Sequence, residues 1–585
     1  MKVVLKHAGR WLHFQDPEKV LVAESVDEVL PLLQEAEESG LFAAGFISYE
    51  ASPAFDHVLK THSPDGFPCL YLGLFQAPDV LDHLEETAPV HYRIGELMPS
   101  VSRDEYTQAI HAIKEHIAAG TTYQVNYTYR LHADFEGDAW TFFGALVKGQ
   151  QIEHAAYIET DYFTICSASP ELFFNLSNGK ITARPMKGTA KRGLTLAEDW
   201  KQAAALRASE KDRAENVMIV DMIRNDIGRV AKTGSVETVR QYEIEKYPTV
   251  WQMTSTVQGQ LKSRMGTNER ESMVEILQAL FPCASITGAP KAKTMELIHA
   301  LETSPRKIYT GSMGFMTPAG EACFNVAIRT ALIEKGQLEF GVGGGIVWDS
   351  DADAEFEETL TKARVLTQPR PEFQLLETLL WEPNDGLFLM NEHVQRLAKS
   401  AAYFDVPLDM HAIMQLLEGV SHTCASVRSR IRLLVSRDGN SEIQTIPLDG
   451  TTQGSAPADG PQQPLRVALA KEPVDSENLF LYHKTTHRVV YETAKAEFPA
   501  ADDVILWNEC GEVTESCLAN VVMLKKGKKS TPPVQCGLLA GTFRAHLLKI
   551  GAIEEGTITL EDLKSADEVW LVNSVRKWQK ISLEV

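Results

Sequence analysis

An α+β fold in two parts is what the sequence predicts, and three observations carry the prediction. Strand-like runs such as FTICSASPELFFNL lie beside long helical runs such as KDRAENVMIVDMIRNDIG, without the regular βαβ alternation that builds a parallel sheet. A chain of 585 residues exceeds what one hydrophobic core organises. The stretch LTQPRPEFQLLET, with Pro369 and Pro371, separates a helix-like run ending in KARVL from a strand-like one. The expected division is an α/β sandwich with antiparallel sheets over residues 1–366, a linker at 367–372, and a second α+β part over 373–585. Within the latter, PLDGTTQGSAPADGPQQPL, residues 447–465, is rich in Gly, Pro, Ser and Thr and reads as a flexible connection between a smaller and a larger lobe.

Composition then excludes whole classes of partner. Hydrophobic content of 44% and charged content of 23% are ordinary for a globular protein. A net charge of −22 argues against nucleic acid and anionic membrane surfaces, which need basic faces, so any anionic ligand must be met by local cations. The eight cysteines show no paired metal-ligand spacing and read as reduced thiols. The N-terminal MKVVLKHAGRWLHF is interrupted by Lys6 and His7, and no later stretch stays apolar for about 20 residues, so a cytoplasmic protein is expected.

Taken along the chain, the first chemistry-bearing stretch is RPMKGTAKRG, Arg184 to Gly193, with four cations, two glycines and a proline. It reads as a solvated basic turn, a phosphate cradle, or a loop holding one reactive lysine. In the helix-like run that follows, Asp212 and Glu215 are three apart, which puts both carboxylates on one helix face. DADAEFEETLTKARVL repeats the arrangement with Glu355 and Glu358. Alone, each pair reads as a solvated face; if the two helices converge, their carboxylates make a hard oxygen site suited to Mg²⁺. SITGAPK and FGVGGGIVWDS are glycine-containing turns, either tight connections or sources of backbone N–H groups for an anion.

In order, SPELF, RPMKGT, AENVMIVDMIRNDIGRV, FPCASITGAPKAKTMELI, IRT, GGGIVWDS and EETLTKA resemble the chorismate-utilising enzyme family, from Gln124 to Leu366. GFISYEASPAF, at 45–55, is similar to that family's N-terminal lobe. Within the family, PMKGT resembles the members that aminate chorismate at C4, where a lysine stands in the position that anthranilate synthases fill with alanine. The resemblance implies that Glu215 and Glu358 hold Mg²⁺, directly or through water, with Asp212 and Glu355 in support. It makes Glu171 the general acid for the departing C4 hydroxyl and Lys187 the nucleophile at C2. Such an amine needs desolvation or a neighbouring cation, and Arg184, Lys191 and Arg192 are the nearest in sequence. Ser285, Tyr309, Arg329 and the turn Gly343, Gly344, Gly345 match positions that hold the substrate's carboxylates. Two departures stand out: Ala284 where glycine is common, and Gln252 where many relatives have histidine.

From residue 373 the motifs change. HVQRL, YHKTTHR, ILWNECGEVTESCLANVVM, GLLAGTFR and LVNSVRKW resemble the fold-type IV pyridoxal-phosphate enzymes, which include branched-chain and D-amino-acid aminotransferases and a chorismate-derived lyase. By that resemblance Lys484 forms the Schiff base and Glu515 faces the pyridine nitrogen. Arg396 and Thr542 hold the phosphate, and Asn573 and Ser574 form a substrate-facing turn in which Lys577 replaces a commoner glycine. The implied cofactors are Mg²⁺ and pyridoxal phosphate. The implied activity is conversion of chorismate, through 4-amino-4-deoxychorismate, to 4-aminobenzoate and pyruvate, with an aminotransferase as the alternative for the second half. No segment shows a class I amidotransferase cysteine elbow, so ammonia is expected from solution or from a separate glutamine amidotransferase subunit. A homodimer is expected through the second half.

Overall fold

The structure, a computed structural model, describes residues 1–84, 91–150, 152–262, 272–367, 371–424, 427–448 and 463–584. Most of the expected flexible connection at 447–465, and the centre of the expected linker at 367–372, lie outside the described residues. The chain forms two compact units. One is built from Met1–Lys191 and Ala203–Arg370, the other from Arg192–Gln202 and Pro371–Val585.

In the first unit two large sheets, of 11 and 10 strands among the described residues, have antiparallel pairings throughout. Their inner faces meet over Val3, Phe14, Phe46, Ile165, Met313 and Phe315, all fully or almost fully buried. Helices cover both outer faces. Arg103–Ala118, Ala139–Gln150 and Ala352–Thr367 pack on the first sheet, and Val26–Glu38, Glu210–Val230 and Met273–Leu280 on the second. The antiparallel α+β sandwich expected from the strand and helix patterning is thus the observed architecture.

Two elements show how the sequence dictates this packing. The helix Glu210–Val230 starts at Ser209, whose hydroxyl accepts from Asp212 N, and its residues Ile219, Ile223, Ile227 and Val230 form a stripe at helical spacing buried in the core. Each such aliphatic side chain contributes about 1.5–3 kcal/mol by leaving water, and Ile219→Ala would cost about 2–5 kcal/mol. The strand Gln124–Gly137 alternates Val125, Tyr127, Tyr129 and Leu131, which face the helices, with Gln124, Asn126, Thr128 and Arg130, which are buried on the other face. That polar row is matched by Glu302 and Arg306: the Arg306 guanidinium donates to both Glu302 oxygens and to Asn126 O, and Glu302 accepts from Thr128. Directly paired to this strand is Gln337–Ile346, whose glycines leave room at the site described below.

The second unit has two lobes. A four-stranded antiparallel sheet centred on Leu375–Glu382 and Ser429–Val435 carries the helices Met390–Phe404 and Met410–Thr423. A larger eight-stranded sheet is mixed: Leu465–Leu469 lies parallel to both Asp503–Trp507 and Lys577–Glu584, and most other neighbours are antiparallel. The segment Arg192–Gln202 folds with this unit, contributing Leu194 and Leu196 to its cores. Arg192 donates to both carboxylate oxygens of the fully buried Asp199 and to Tyr403 O, and its guanidinium lies 4.4 Å above the Tyr403 ring.

Candidate functional site

The strand Met186–Lys191 pairs with Val250–Gln260 at Met186↔Thr254 and Thr189↔Gln252, so one extra residue is accommodated at Lys187–Gly188. A bulge of this kind re-aims a side chain. Gly188 has φ +102°, and a Cβ there would stand 3.1 Å from the Asp212 Cβ, so only glycine lets the helix Glu210–Val230 approach the lysine's backbone. Asn216 Nδ2 donates to Lys187 O at 3.3 Å, and Asn216 is itself fixed by the Ser255 hydroxyl, 2.6 Å from its Oδ1. The result places Lys187 Nζ 3.4 Å from Glu215 Oε2, with both side chains mostly buried. A Cβ on Gly345 would collide with Lys187 Nζ.

The second carboxylate helix, Ala352–Thr367, meets the same glycine run. Glu355 accepts from the Ser350 hydroxyl at 2.7 Å, and its other oxygen would lie 3.1 Å from a Cβ on Gly344. Glu358 pairs with Lys362 Nζ at 2.8 Å, and Lys362 donates to Gly343 O at 2.9 Å. Burial, and then the nearby Glu358, push the Glu355 carboxyl up against the pull of Ser350. Lys362, and more weakly Lys187, hold Glu358 down. Glu215, Glu355, Glu358, Lys187 and the Gly343–Gly345 run are therefore one cluster. Asp212 stands at its edge against Gly188. Among the described residues no three His, Cys, Asp or Glu side chains are already gathered closely enough to enclose an ion.

Glu171 follows the strand Thr164–Ser169 and is 4% exposed. Burial pushes its carboxyl up to about 7, opposed by the Ser285 hydroxyl, Met186 N–H and the charge of Lys187, and its Oε1 has no hydrogen-bond partner. Ser285 lies in the short turn Ala284–Ile286, with its hydroxyl 3.2 Å from Cys283 Sγ and Ala284 buried. Arg329 has φ +49° and donates to Gln150 Oε1; burial lowers its pKa, and among the described residues no carboxylate pairs with it. Tyr309 is less directly placed: its ring packs on Gly341, two alternations along the strand from Gly345, with the Arg130 guanidinium 5.3 Å from the ring centre. Burial pushes its phenol up to about 12.

The basic neighbours of Lys187 do not surround it. Arg184 pairs with Glu245, Lys191 is exposed, and Arg192 is committed to Asp199 in the second unit. The charged partner of Lys187 is an acid, Glu215, and among the described residues none of these three cations pairs with it. Gln252 is half-buried, with its Oε1 accepting from the Thr189 hydroxyl at 3.0 Å, which leaves its amide N–H groups to donate. Two residues escaped the sequence reading. Asn216 is the lysine's backbone anchor. Gln124 is fully buried with neither amide atom hydrogen-bonded, beside Gly345 and Lys187. Leaving such an amide unpaired costs about 1–3 kcal/mol.

In the second unit a cavity of ≈ 320 Å³ is lined by Lys484, Arg396, Glu515, Thr542, Asn573 and Ser574, among others. Lys484 is held by its carbonyl, which accepts from Leu376 N at 3.0 Å. The preceding His483 is pinned on both ring nitrogens, to the Ser400 hydroxyl and to Leu194 O. Burial first, then the charge of Arg396, bring the Lys484 ammonium down to about 8. Glu515 is buried and pushed up to about 7, and it is oriented by Tyr491 OH at 2.7 Å, Leu539 N at 3.1 Å and Asn520 Nδ2 at 3.3 Å.

Arg396 makes a two-point pair with Glu377, and its remaining nitrogen donates to Ala540 O. Against the cost of burial, Arg396 and His393 hold Glu377 down to about 2. Thr542 opens the helix Thr542–Lys549, with its hydroxyl 3.1 Å from His393 Nε2. Asn573 Oδ1 accepts from Val575 N and Arg576 N, closing a tight turn, and Ser574 donates to Thr378 O. Lys577 has φ +59°, which explains why glycine suits this position, and its ammonium lies 3.0 Å from Glu382. An acid, a depressed lysine and donors at a helix start form a donor set that fits pyridoxal phosphate.

Comparison with known proteins agrees with this division. Residues 8–368 match the chorismate binding enzyme family and residues 374–583 the class IV amino-transferases, a grouping that implies pyridoxal phosphate. The chain is 40% identical over 270 residues to aminodeoxychorismate synthase component 1 of Escherichia coli (strain K12), covering 46% of this chain and 58% of that protein. To the protein of the same name from Salmonella typhimurium (strain LT2) it is 34% identical over 351 residues, covering 56% and 76%. Anthranilate synthase component I from Streptococcus pneumoniae TIGR4 shares the fold of the first unit, with a TM-score of 0.52 and 22% identity over 63% of this chain and 92% of that one. Among the described residues no helix is long and apolar enough to cross a membrane.

Proposed function

Because the chain belongs to the chorismate binding enzyme family, we propose that its first half aminates chorismate at C4 and that its second half eliminates pyruvate from the product to give 4-aminobenzoate. The observation that carries this reading is the position of Lys187, aimed by a bulge into the cluster formed by Glu215, Glu355, Glu358 and Gly345. Glu171, neutral up to about pH 7, protonates the C4 hydroxyl, which departs as water. Lys187 Nζ bonds to C2 as the ring double bonds shift. Ammonia then bonds to C4, the bond to Lys187 breaks, and the double bonds return. Arg329, a guanidinium without a carboxylate partner among the described residues, and the amide of Gln124 supply contacts for the substrate's carboxylate and polar groups. Glu215, 3.4 Å from Lys187 Nζ, holds that amine in position.

Mg²⁺ fits the same cluster if Glu215 and Glu358 each give one carboxylate, supported by Asp212 and Glu355, since this ion keeps several waters and needs few protein ligands. The repulsion that Glu355 feels from Glu358 is what such a charge relieves. When bound, it neutralises a substrate carboxylate.

In the second half Lys484 would hold pyridoxal phosphate, which would supply an electron sink. Glu515 would keep a proton at the pyridine nitrogen, and Arg396 with Thr542 would hold the phosphate. The Lys484 amine is the group placed to take the proton from C4 of the substrate as pyruvate leaves. The nitrogen source is ammonia, free or from a separate glutamine amidotransferase subunit, and the second half pairs with another copy. The test is direct. Purified protein given chorismate, ammonium, Mg²⁺ and pyridoxal phosphate should release 4-aminobenzoate and pyruvate in equal amounts, and failure to form either product would sink the two-step reading.

A further inference from the structure

Arg329 is held by an acceptor that carries no charge. Its guanidinium donates to Oε1 of Gln150, the last residue of the helix Ala139–Gln150. Gln150 is 5% exposed and continues the buried side of that helix after Phe143 and Leu146, at the three- and four-residue spacing that keeps side chains on one face. A polar side chain in such a stripe costs free energy unless it is hydrogen-bonded, and the bond its oxygen makes is with Arg329. The backbone of Arg329 is fixed as well. Its carbonyl accepts from Ala168 N at 3.0 Å, and Val326 N donates to Glu171 O at 3.0 Å, so the segment 326–329 lies along the chain that carries Glu171. With φ +49° Arg329 is in the left-handed region, where a residue other than glycine persists only when its surroundings hold it.

The charged groups around Arg329 leave it unneutralised. Tyr247 feels the charges of Glu245, Arg184 and Arg329 together, so the four share one neighbourhood. Glu245 is the acid among them, and it is fully engaged. Its Oε1 accepts from Arg184 and from the Thr254 hydroxyl, and its Oε2 accepts from the Tyr247 hydroxyl at 3.0 Å. An acid in place of the Gln150 amide would form a charge-assisted pair and cancel the guanidinium's charge. The amide has nearly the same shape; it aims the group and leaves its charge in place. A buried charge without a counter-ion is costly, and that cost falls when an anion arrives.

We propose that Gln150 is a positioning residue for substrate binding: its neutral amide aims the Arg329 guanidinium and keeps that charge uncancelled for a carboxylate of the substrate. This rests on the functional reading above and gives Gln150 a role in how tightly, not how fast, the first half handles its substrate.

The test uses the full chain with Gln150→Glu and Gln150→Met, both close to glutamine in size. Chorismate affinity is read by calorimetry without ammonium, and KM and kcat from C4 amination with ammonium and Mg²⁺. Gln150→Glu should weaken chorismate binding and raise KM at least about tenfold, because the new acid takes the guanidinium for itself. Its kcat should stay within about twofold of wild type, the signature of lost uniform binding. Gln150→Met removes the acceptor and keeps the charge, so it should raise KM only about threefold, again with kcat retained. Should Gln150→Glu fail to fold, the rise in KM without a fall in kcat in Gln150→Met still decides the matter. Unchanged affinity and KM in the variants overturns the proposal. So does a fall in kcat at unchanged KM, which would make Gln150 part of the framework or of the chemical step. Loss of chorismate affinity in Gln150→Glu, in protein whose wild type forms no aminated product, supports the positioning role and breaks only the functional reading. Amination with KM unmoved in both variants breaks only the positioning role, and wild-type protein that binds no chorismate overturns both.

Discussion

Lys187 and Lys484 are the same residue type in opposite surroundings. Lys187 emerges from a bulge among carboxylates, with Glu215 as its ion-pair partner. Lys484 lies in a cavity dominated by arginines, and desolvation and Arg396 bring it down to about 8. The difference teaches that two routes lead to a reactive amine. One fixes the amine beside a carboxylate that holds it in position. The other makes its charged form costly, so that the proton is easily lost.

The largest expected effect comes from removing one side of the comparison. Lys484→Ala should abolish the absorbance of lysine-bound cofactor and slow pyruvate release by about 10⁴-fold, with 4-amino-4-deoxychorismate accumulating by chromatography. Next is the framework behind Lys484: Asp199→Ala leaves Arg192 buried without its acid and should destabilise the second unit by about 3–5 kcal/mol, read from denaturant unfolding followed by cofactor release.

Glu171→Gln should lower C4 amination by about 10²-fold. Because Glu171 acts in its protonated form and titrates near 7, the wild-type rate should fall about tenfold per pH unit above that value, whereas the glutamine variant should show no such fall. For Lys484 the sign is reversed. Cofactor uptake by stripped protein needs the free amine, so its rate should rise with pH and level off above about 8. A rate independent of pH between about 6 and 8 would remove the contrast between the two lysines. The smallest effect expected is from Gly345→Ala, whose methyl would displace Lys187 Nζ; amination should drop about tenfold while cofactor binding in the second half is unaffected.

Much of this was legible from short-range pattern. Strand alternation and helical spacing gave the antiparallel sandwich, and the three-residue spacing of Asp212 and Glu215, and of Glu355 and Glu358, put each pair on one helix face. Convergence of those helices was not legible, because it depends on Gly188 and the Gly343–Gly345 run admitting close approach between segments far apart in sequence. The sequence neighbours of Lys187 misled for the same reason. Arg184 and Arg192 are adjacent along the chain, yet one pairs with Glu245 and the other folds into the second unit. Gln124 and Asn216 carried no signal, since an amide gains meaning only from what surrounds it.

By itself, then, the sequence determined which chemical groups are present and which local faces they occupy, because backbone periodicity acts over a few residues. Only the tertiary structure decided which acid meets which base: Glu215 with Lys187, Asp199 with Arg192, and no carboxylate, among the described residues, for Arg329. Charge pairing and desolvation depend on distance in space, and in this chain the deciding partners come from distant segments as often as from adjacent ones.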